Sequence, residues 1–290
     1  MSNSSNLRVA VIGGGPGGYA AAFLAADLGM KVTMIDPEVN PGGVCLYRGC
    51  IPSKALLHVA KLLEEAEQAK NWGVEFGEPK VDLNKLRGWK ESVVKKLTGG
   101  LGQLSKQRSV QFVSGKAAFV NSTTLKVTKT AGGDESMTFD RIIIATGSRP
   151  SVIPSLKLDS PRMMDSTSAL DLPDIPKTLL VIGGGYIGLE LGSVYATLGT
   201  KVTCVEMLSG LLPGADRDLV LPLHKRLEKL FASILLNTTV KSLKEEKNGI
   251  RVVFDGADVK EKEQVFDRVL MSVGRRPTPK SQASTRRKSK

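Results

Sequence analysis

Apolar and polar positions follow one order twice along the chain. Residues 7–36, LRVAVIGGGPGGYAAAFLAADLGMKVTMID, open with a short apolar strand and pass through a glycine-rich turn into an amphipathic helix. The helix stops at Leu-Gly, and a second strand beginning Lys-Val-Thr closes on an acid. Residues 177–206, KTLLVIGGGYIGLELGSVYATLGTKVTCVE, align with them without a gap at an offset of 170. Strand, turn, helix, strand is the order of a βαβ unit, so the pattern predicts two such units in an α/β fold. The first is followed by a segment of turn residues and a helical pattern from about Lys54 to Lys70. Strand-like alternation then runs through QFVSGKAAFV, TTLKVTKT and SMTFDRIIIATG, with AGGD as a hairpin turn. After the second unit, DRDLVLPLHKRLEKLF reads as a helix and short strands end in VFDRVLMSVGRRP. RIIIATGSRP and RVLMSVGRRP form a further echo. The Pro/Ser-rich stretch 148–161 marks the expected seam, giving domains 1–150 and 151–277 and a basic tail 278–290.

Size agrees with two domains: 290 residues, 41% of them hydrophobic, suffice for two separate cores. The net charge of +12 invites a nucleic-acid reading, but RRPTPKSQASTRRKSK at 275–290 holds seven Lys or Arg and no acid, and removing those seven leaves +5. The basic signal is mostly a solvated tail, so no nucleic-acid partner is expected. No apolar run approaches the roughly 18 residues of a membrane span, and MSNSSN leads directly into a strand pattern, so neither a membrane nor secretion is expected. A cytoplasmic setting follows, where structural disulfides are rare. That makes GGVCLYRGCIPSK, residues 42–54, informative: Cys45 and Cys50 lie close together where a redox-active or metal-binding pair is commoner than a staple. Zinc would need about four ligands at recognisable spacing, and only Cys204 and two histidines remain, so no metal is expected. Cys204, in KVTCVEM, reads as a core strand residue.

Both glycine-rich turns carry the chemistry of dinucleotide binding. Gly13 permits the tight turn, Gly15 lets the backbone approach a pyrophosphate, and Gly18 lets helix and strand pack closely, while the helix N-terminus offers N–H groups to the anion. Gly183, Gly185 and Gly188 repeat the arrangement. Asp36 and Glu206 each lie 23 residues after the first glycine, where a carboxylate accepts hydrogen bonds from a ribose. Two dinucleotides are expected.

The Cys-x4-Cys segment, the paired fingerprints, ATG at 145–147 and VGRRP at 273–277 together resemble the flavin-dependent pyridine nucleotide–disulfide oxidoreductases over about residues 7–277. GCIPSKALLHVAK is most similar to the members that oxidise dihydrolipoamide. The resemblance implies two Rossmann-like, three-layer dinucleotide-binding domains, the first with an antiparallel β-meander, and FAD and NAD as cofactors. It implies a reversible Cys45–Cys50 disulfide, with Cys45 exchanging with substrate sulfur and Cys50 touching the flavin. Four intervening residues bring such sulfurs together in a turn. The helix expected to open at Ile51-Pro52-Ser53-Lys54, with the Lys54 charge, favours a thiolate.

By the same resemblance, Gly13, Gly15 and Gly18 hold the FAD pyrophosphate and Asp36 the adenosine ribose, while Gly115, Ala117, Thr146 and Gly147 touch FAD. Lys54 stands near the flavin, paired with Glu190. Gly183, Gly184, Gly185, Tyr186, Ile187, Gly188, Glu206, Val240 and Gly274 form the nicotinamide dinucleotide site, with Tyr186 at the position of an aromatic gate. Glu206 favours NAD over NADP, since a carboxylate repels a 2′-phosphate and MLSGLLPG after it offers no Arg to bind one. Implied partners are the lipoyl domains of 2-oxo acid dehydrogenase complexes or of the glycine cleavage system, and a second copy in a homodimer.

The sequence departs from this pattern in places. Asp36 is one methylene shorter than the glutamate usual there. Tyr47-Arg48 replaces Asn-Val and sets a cation close to the expected flavin face, where it would shift redox poise. Relatives continue past GRRPN into a further FAD contact and a dimerisation domain supplying a His–Glu pair. This sequence has Thr278 instead of Asn and ends in the basic tail, so that domain is expected to be absent. His58 and His224 read as ordinary helix residues, not substitutes for the pair. Two alternatives stay open: a mercuric- or glutathione-type disulfide reductase, and a truncated fragment that binds dinucleotides without turnover.

Overall fold

A computed structural model describes residues 6–257 and 259–278; the tail expected at 278–290 lies, from 279 on, outside the described residues. The chain forms two compact units. The first comprises residues through Ile51, Ser92–Arg149 and the residues from Pro277; the second comprises Pro52–Glu91 and Pro150–Arg276.

In the first unit, β1 (Arg8–Ile12), α1 (Pro16–Asp27) and β2 (Lys31–Asp36) build the first βαβ repeat. Then come α2 (Gly43–Arg48), α3 (Cys50–Gln68), whose residues from Pro52 belong to the second unit, α4 (Leu83–Gln107), which belongs to the first from Ser92, and strands β3 (Gln111–Phe119), β4 (Thr124–Lys129), β5 (Asp134–Thr138) and β6 (Arg141–Ile144). One six-stranded sheet results, in the order β5-β4-β3-β2-β1-β6. Its β3-β2-β1-β6 portion is parallel, while β3, β4 and β5 form an antiparallel meander. Alternation along β1 decides the layers: Val9 and Val11 pack with Ala22 and Ala25 of α1, whereas Ala10 and Ile12 pack with Leu125 and Val127 of the meander. Helix, parallel sheet and meander are therefore the three layers.

The second unit repeats the scheme. After β7 (Ser148–Pro150), where the chain passes from the first unit into the second, and the short β8 (Met163–Met164) come β9 (Thr178–Ile182), α5 (Tyr186–Thr197), β10 (Lys201–Val205), α6 (Arg217–Leu230) and β11 (Ser233–Leu235). Strands β12 (Thr239–Glu246), β13 (Gly249–Asp255), β14 (Glu263–Phe266), β15 (Arg268–Met271) and β16 (Arg275–Pro277) complete it. The sheet β11-β10-β9-β15-β8 is parallel throughout, and β12-β13-β14 is a separate antiparallel sheet. Leu179 and Val181 face α5 through Leu189, Leu191 and Val194, while Leu180 and Ile182 face Ile250, Val252 and Phe254 of the small sheet.

Order 3-2-1-6 in the first sheet thus matches 11-10-9-15 in the second, so the echo of RIIIATG and RVLMSVG marks strands in equivalent places. Equivalence extends to single hydrogen bonds. Gly13 N–H donates to Ile35 O at 2.8 Å and Gly183 N–H to Val205 O at 2.9 Å; Ala145 N–H donates to Ile12 O at 2.8 Å and Ser272 N–H to Ile182 O at 2.9 Å.

Three sequence expectations need correction. The helix after the cysteines begins at Cys50, not near Ile51–Lys54, because Pro52 in the first turn forfeits no intrahelical bond. Cys45 does not lie in a turn but inside α2, so the pair straddles a break between two helices at Gly49. Finally, the 25-residue α4 occupies a stretch in which the pattern foretold no element. Its buried stripe is Leu86, Lys90, Val94, Thr98 and Ser105, three of them polar, and the helix also contains Gly88, Gly99, Gly100 and Gly102. Thr98 and Ser105 satisfy their hydroxyls on carbonyls one turn back, and Lys90 donates to Leu170 O at 2.7 Å.

Candidate active site

Each fingerprint is a strand end, a strained glycine and a helix start. Gly13 and Gly183 hold φ of +102° and +106°, where a side chain is disfavoured. A Cβ on Gly18 would fall on the Gly13 carbonyl, and one on Gly188 would lie 2.5 Å from Ser272 Oγ and 2.9 Å from Val181 Cγ1. Close packing of helix on strand therefore depends on both positions. The N-caps of α1 and α5 are Gly15 and Gly185, neither helix has a capping side chain, and neither carries an acid in its first turn. A Cβ on Gly17 or on Gly185 would meet nothing within 4 Å. At α5 the N-cap faces open space, and at α1 Gly43 stands against the Gly15 N-cap while Gly17 faces open space; two helix N-termini without a capping side chain or an acid fit the pyrophosphates of FAD and NAD.

The two acids sit alike despite their difference in length. Asp36 accepts from Gly14 N–H at 2.6 Å and Glu38 N–H at 3.0 Å; Glu206 accepts from Gly184 N–H at 2.7 Å and Leu208 N–H at 2.9 Å. Both residues are buried, and each carboxylate oxygen keeps a lone pair for a ribose hydroxyl. The missing methylene at Asp36 is absorbed by the loop, since the same two amides are reached. Beyond Glu206 the first arginine is Arg217, which sequence reasoning passed over. Its guanidinium donates to Leu211 O at 2.9 Å, Leu212 O at 2.6 Å and Ala215 O at 2.7 Å, so its donors hold the loop 208–216.

Half-buried Cys45 lies in the middle of α2, and exposed Cys50 is the first residue of α3. Gly49 makes that junction possible: a Cβ there would stand 2.8 Å from Val44 O and 3.3 Å from Cys45 Cα. Its bare Cα lets the start of α3 rest directly on the backbone of Cys45. A helix N-terminus favours negative charge, and Cys50 occupies one. Tyr19 of α1 was not singled out by the sequence; burial first, then the charge of the Cys45 and Cys50 thiolates, hold its phenol above the ordinary tyrosine range.

In the second unit Lys54 and Glu190 come together. Lys54 Nζ lies 2.7 and 2.9 Å from the two Glu190 oxygens, and Ser53 Oγ donates to the same carboxylate at 3.2 Å. Lys54 follows Cys50 by one helical turn of α3, so its charge is fixed in direction. Tyr186 is the first residue of α5 and 63% exposed. Ile187 packs against the core. Gly115 and Ala117 lie on β3, the first paired with Lys129 and the second with Val127; Thr146 and Gly147 follow β6. Val240 lies at a bulge of β12, and Gly274, φ +100°, accepts from Ser151 N–H at 2.9 Å.

The remaining groups stand apart from this chemistry. Arg48 does not project as a lone cation: it is ion-paired with Glu38. His58 of α3 packs near the Trp89 ring, and His224 of α6 lies 3.6 Å from Glu228. Among the described residues no cluster of three metal-ligating side chains occurs, and no helix is long and apolar enough to cross a membrane. Cys204 is fully buried on β10, and burial pushes its thiol up to about 12. After reduction, a thiol reagent should label Cys45 and Cys50 in the native chain and Cys204 only on unfolding, as peptide mapping would check. The folded-state shift is upward, so the stability Cys204 lends is full below 9.0 and is lost as pH rises towards about 12. Cys204→Ala should flatten that alkaline fall in a series of thermal melts.

Comparison with known proteins agrees with this geometry. Dihydrolipoyl dehydrogenase of Vibrio parahaemolyticus is 44% identical over 280 residues, covering 97% of this chain and 58% of its own length. That of Geobacillus stearothermophilus is 45% identical over 269 residues, covering 92% and 56%. This chain thus spans somewhat over half the length of those relatives. Among solved structures, LpdA of Mycobacterium tuberculosis superposes with a TM-score of 0.82 at 26% identity, over 93% of this chain and 59% of that one. The HOCl-induced flavoprotein disulfide reductase RclA of Escherichia coli gives 0.78 at 28%, over 96% and 58%. The family model described as pyridine nucleotide-disulphide oxidoreductase matches residues 7–288, and the chain belongs to that family.

Proposed function

We propose that this chain carries the redox core of a dihydrolipoyl dehydrogenase, oxidising protein-bound dihydrolipoamide with NAD+ through FAD and a Cys45–Cys50 disulfide. The observation that carries the reading is the junction at Gly49, which seats one cysteine inside α2 and the other at the head of α3, directly after a bare dinucleotide fingerprint. The dihydrolipoyl dehydrogenases at about 44% identity support the substrate class. On this reading residues 1–150 are the FAD domain and 151–277 the NAD domain, and the partners are lipoyl domains and a second copy of the chain.

Each residue has a task that follows from its place. A substrate thiolate attacks Cys45, breaking the Cys45–Cys50 bond and leaving Cys50 as a thiolate at a helix end that favours the charge. The second substrate thiol then displaces Cys45, so substrate dithiol becomes disulfide while the cysteine pair takes up two electrons. FAD, when bound, supplies the carrier that passes this electron pair on to nicotinamide. Lys54, oriented by Glu190 and Ser53, would supply a positive charge to a bound flavin. Tyr186, exposed at the head of α5, would serve as an aromatic gate for the nicotinamide. Glu206 selects the nucleotide. The match to a flavoprotein disulfide reductase favours, as a second reading, a different disulfide substrate on the same machinery.

Nucleotide choice gives the test. Glu206 accepts ribose hydroxyls and repels a 2′-phosphate, and the donors of Arg217 are spent on backbone carbonyls. NADH should therefore reduce the flavin-loaded chain at least about tenfold faster than NADPH, a gap of about 1.4 kcal/mol. Glu206→Ala should narrow the gap in stopped-flow traces. Equal rates in the parent chain would refute the assignment.

A further inference from the structure

The residues that set α2 in place form a small cluster of their own. Arg48, the last residue of α2, ion-pairs with Glu38, with side chains 41% and 24% exposed. Tyr47 beside it donates from its hydroxyl to Asn40 O at 3.1 Å, and the Arg48 guanidinium stands 6.0 Å from the Tyr47 ring centroid. The loop that receives both residues is itself tied down. Glu38 N–H is bound by Asp36, and Gly42 N–H donates to Gly14 O at 2.7 Å. Asn40, in turn, packs where Gly102 of α4 leaves room.

A six-residue helix has little stability alone, because one or two internal bonds do not offset the ordering of its backbone. Something outside α2 must hold it. At its start, Gly43 packs on Gly15; in its middle Leu46 is buried; at its end stand the Arg48 and Tyr47 contacts. Cys45 lies beside Leu46 and three residues before Arg48, so the setting of the C-terminal half of α2 bears on its position. An exposed ion pair contributes little to global stability, but it can decide where a marginal helix rests.

We propose that Glu38 is a positioning residue for the redox pair: through Arg48 it latches α2 to the loop after Asp36 and so holds Cys45 facing the head of α3. The proposal rests on the Cys45–Cys50 pair being the redox centre. It also places the Tyr47-Arg48 departure in a local role, in which the cation serves as a clamp and not as a charge at the flavin face.

The test is the thiol–disulfide equilibrium of the full 290-residue chain against glutathione. Glutathione disulfide oxidises the Cys45–Cys50 dithiol: two S–H bonds break, one S–S bond forms in the protein, and two glutathione thiols take the protons and electrons. Glu38→Gln and Arg48→Met should each lower the equilibrium constant for closing the disulfide about fivefold, the double variant should lose no more than either alone, and Arg48→Lys should retain most of the parent value. In a Cys50→Ser background, Arg48→Met should speed alkylation of Cys45 by a similar factor, because α2 is released; this second reading needs no flavin and no disulfide. Far-UV spectra and melting temperatures close to the parent would show that the fold persists. A parent chain that forms no internal disulfide overturns the function reading itself. A parent that forms it, with variants unchanged or with additive losses, overturns only the latch.

Discussion

Cys50→Ser is expected to abolish the long-wavelength absorption that the flavin-loaded chain develops on mild reduction, and Cys45→Ser to make that absorption permanent. The asymmetry follows from the places of the two sulfurs. Cys50 heads α3, where a helix end favours the anion, and Lys54 lies one turn further along the same helix. Cys45 sits half-buried within α2 and, on the proposed reading, is the sulfur that meets substrate. On that reading, removing Cys50 takes away the thiolate that would contact the flavin, and removing Cys45 leaves Cys50 with no cysteine of the pair to close on. Either change should lower dithiol oxidation by up to about six orders of magnitude, as loss of a nucleophile does in a serine protease. Visible spectra of the two variants, recorded with one thiol reductant, decide it. An absorption that survives Cys50→Ser would exchange the two roles.

Gly18→Val should be as damaging to the fold as Cys50→Ser is to the chemistry. Any Cβ at position 18 meets the carbonyl of Gly13, and that atom belongs to backbone which cannot turn aside. Helix α1 must then lift from β1, moving its N-terminus away from where a pyrophosphate would lie. A cost of about 1–3 kcal/mol is typical of such overpacking, together with loss of bound FAD. Gly188→Val should act likewise on NAD. Gly99→Ala supplies the contrast: it lies inside α4, has nothing within 4 Å of a Cβ and lacks a positive φ. It should stabilise the chain by up to about 1 kcal/mol, since alanine is the better helix former. Melting temperatures and flavin content of these variants test both arms.

How legible each part was in the sequence depends on where its energy lies. The duplicated βαβ units were legible because their apolar strands and glycine turns are local patterns, and the structure pairs their strands in the same order in both sheets. The meander, too, showed in the alternation of residues 111–144 and in Gly132-Gly133, both at positive φ in the hairpin. Helix α4 was hidden because its inward face carries Lys90, Thr98 and Ser105, which read as surface residues until the carbonyls that satisfy them are seen. Residues 43–48 read as turn because Gly42, Gly43 and Gly49 stand at their two ends. Gly49 is in fact the break between α2 and α3, and only its approach to Cys45 reveals why no side chain fits there. The partners of Arg48, Ser53 and Arg217 depend on residues up to 137 positions away, or on loop carbonyls, and leave no trace in local spacing.

An anaerobic reductive titration of the flavin-loaded chain tests the central claim most directly. If Cys45 and Cys50 form a disulfide in redox contact with FAD, the chain takes up two electron pairs per flavin, one held by the cysteines and one by the flavin. Two thiols then become titratable as the first pair enters. Uptake of a single pair, with no new thiols, would mean that the cysteines stand outside the electron path.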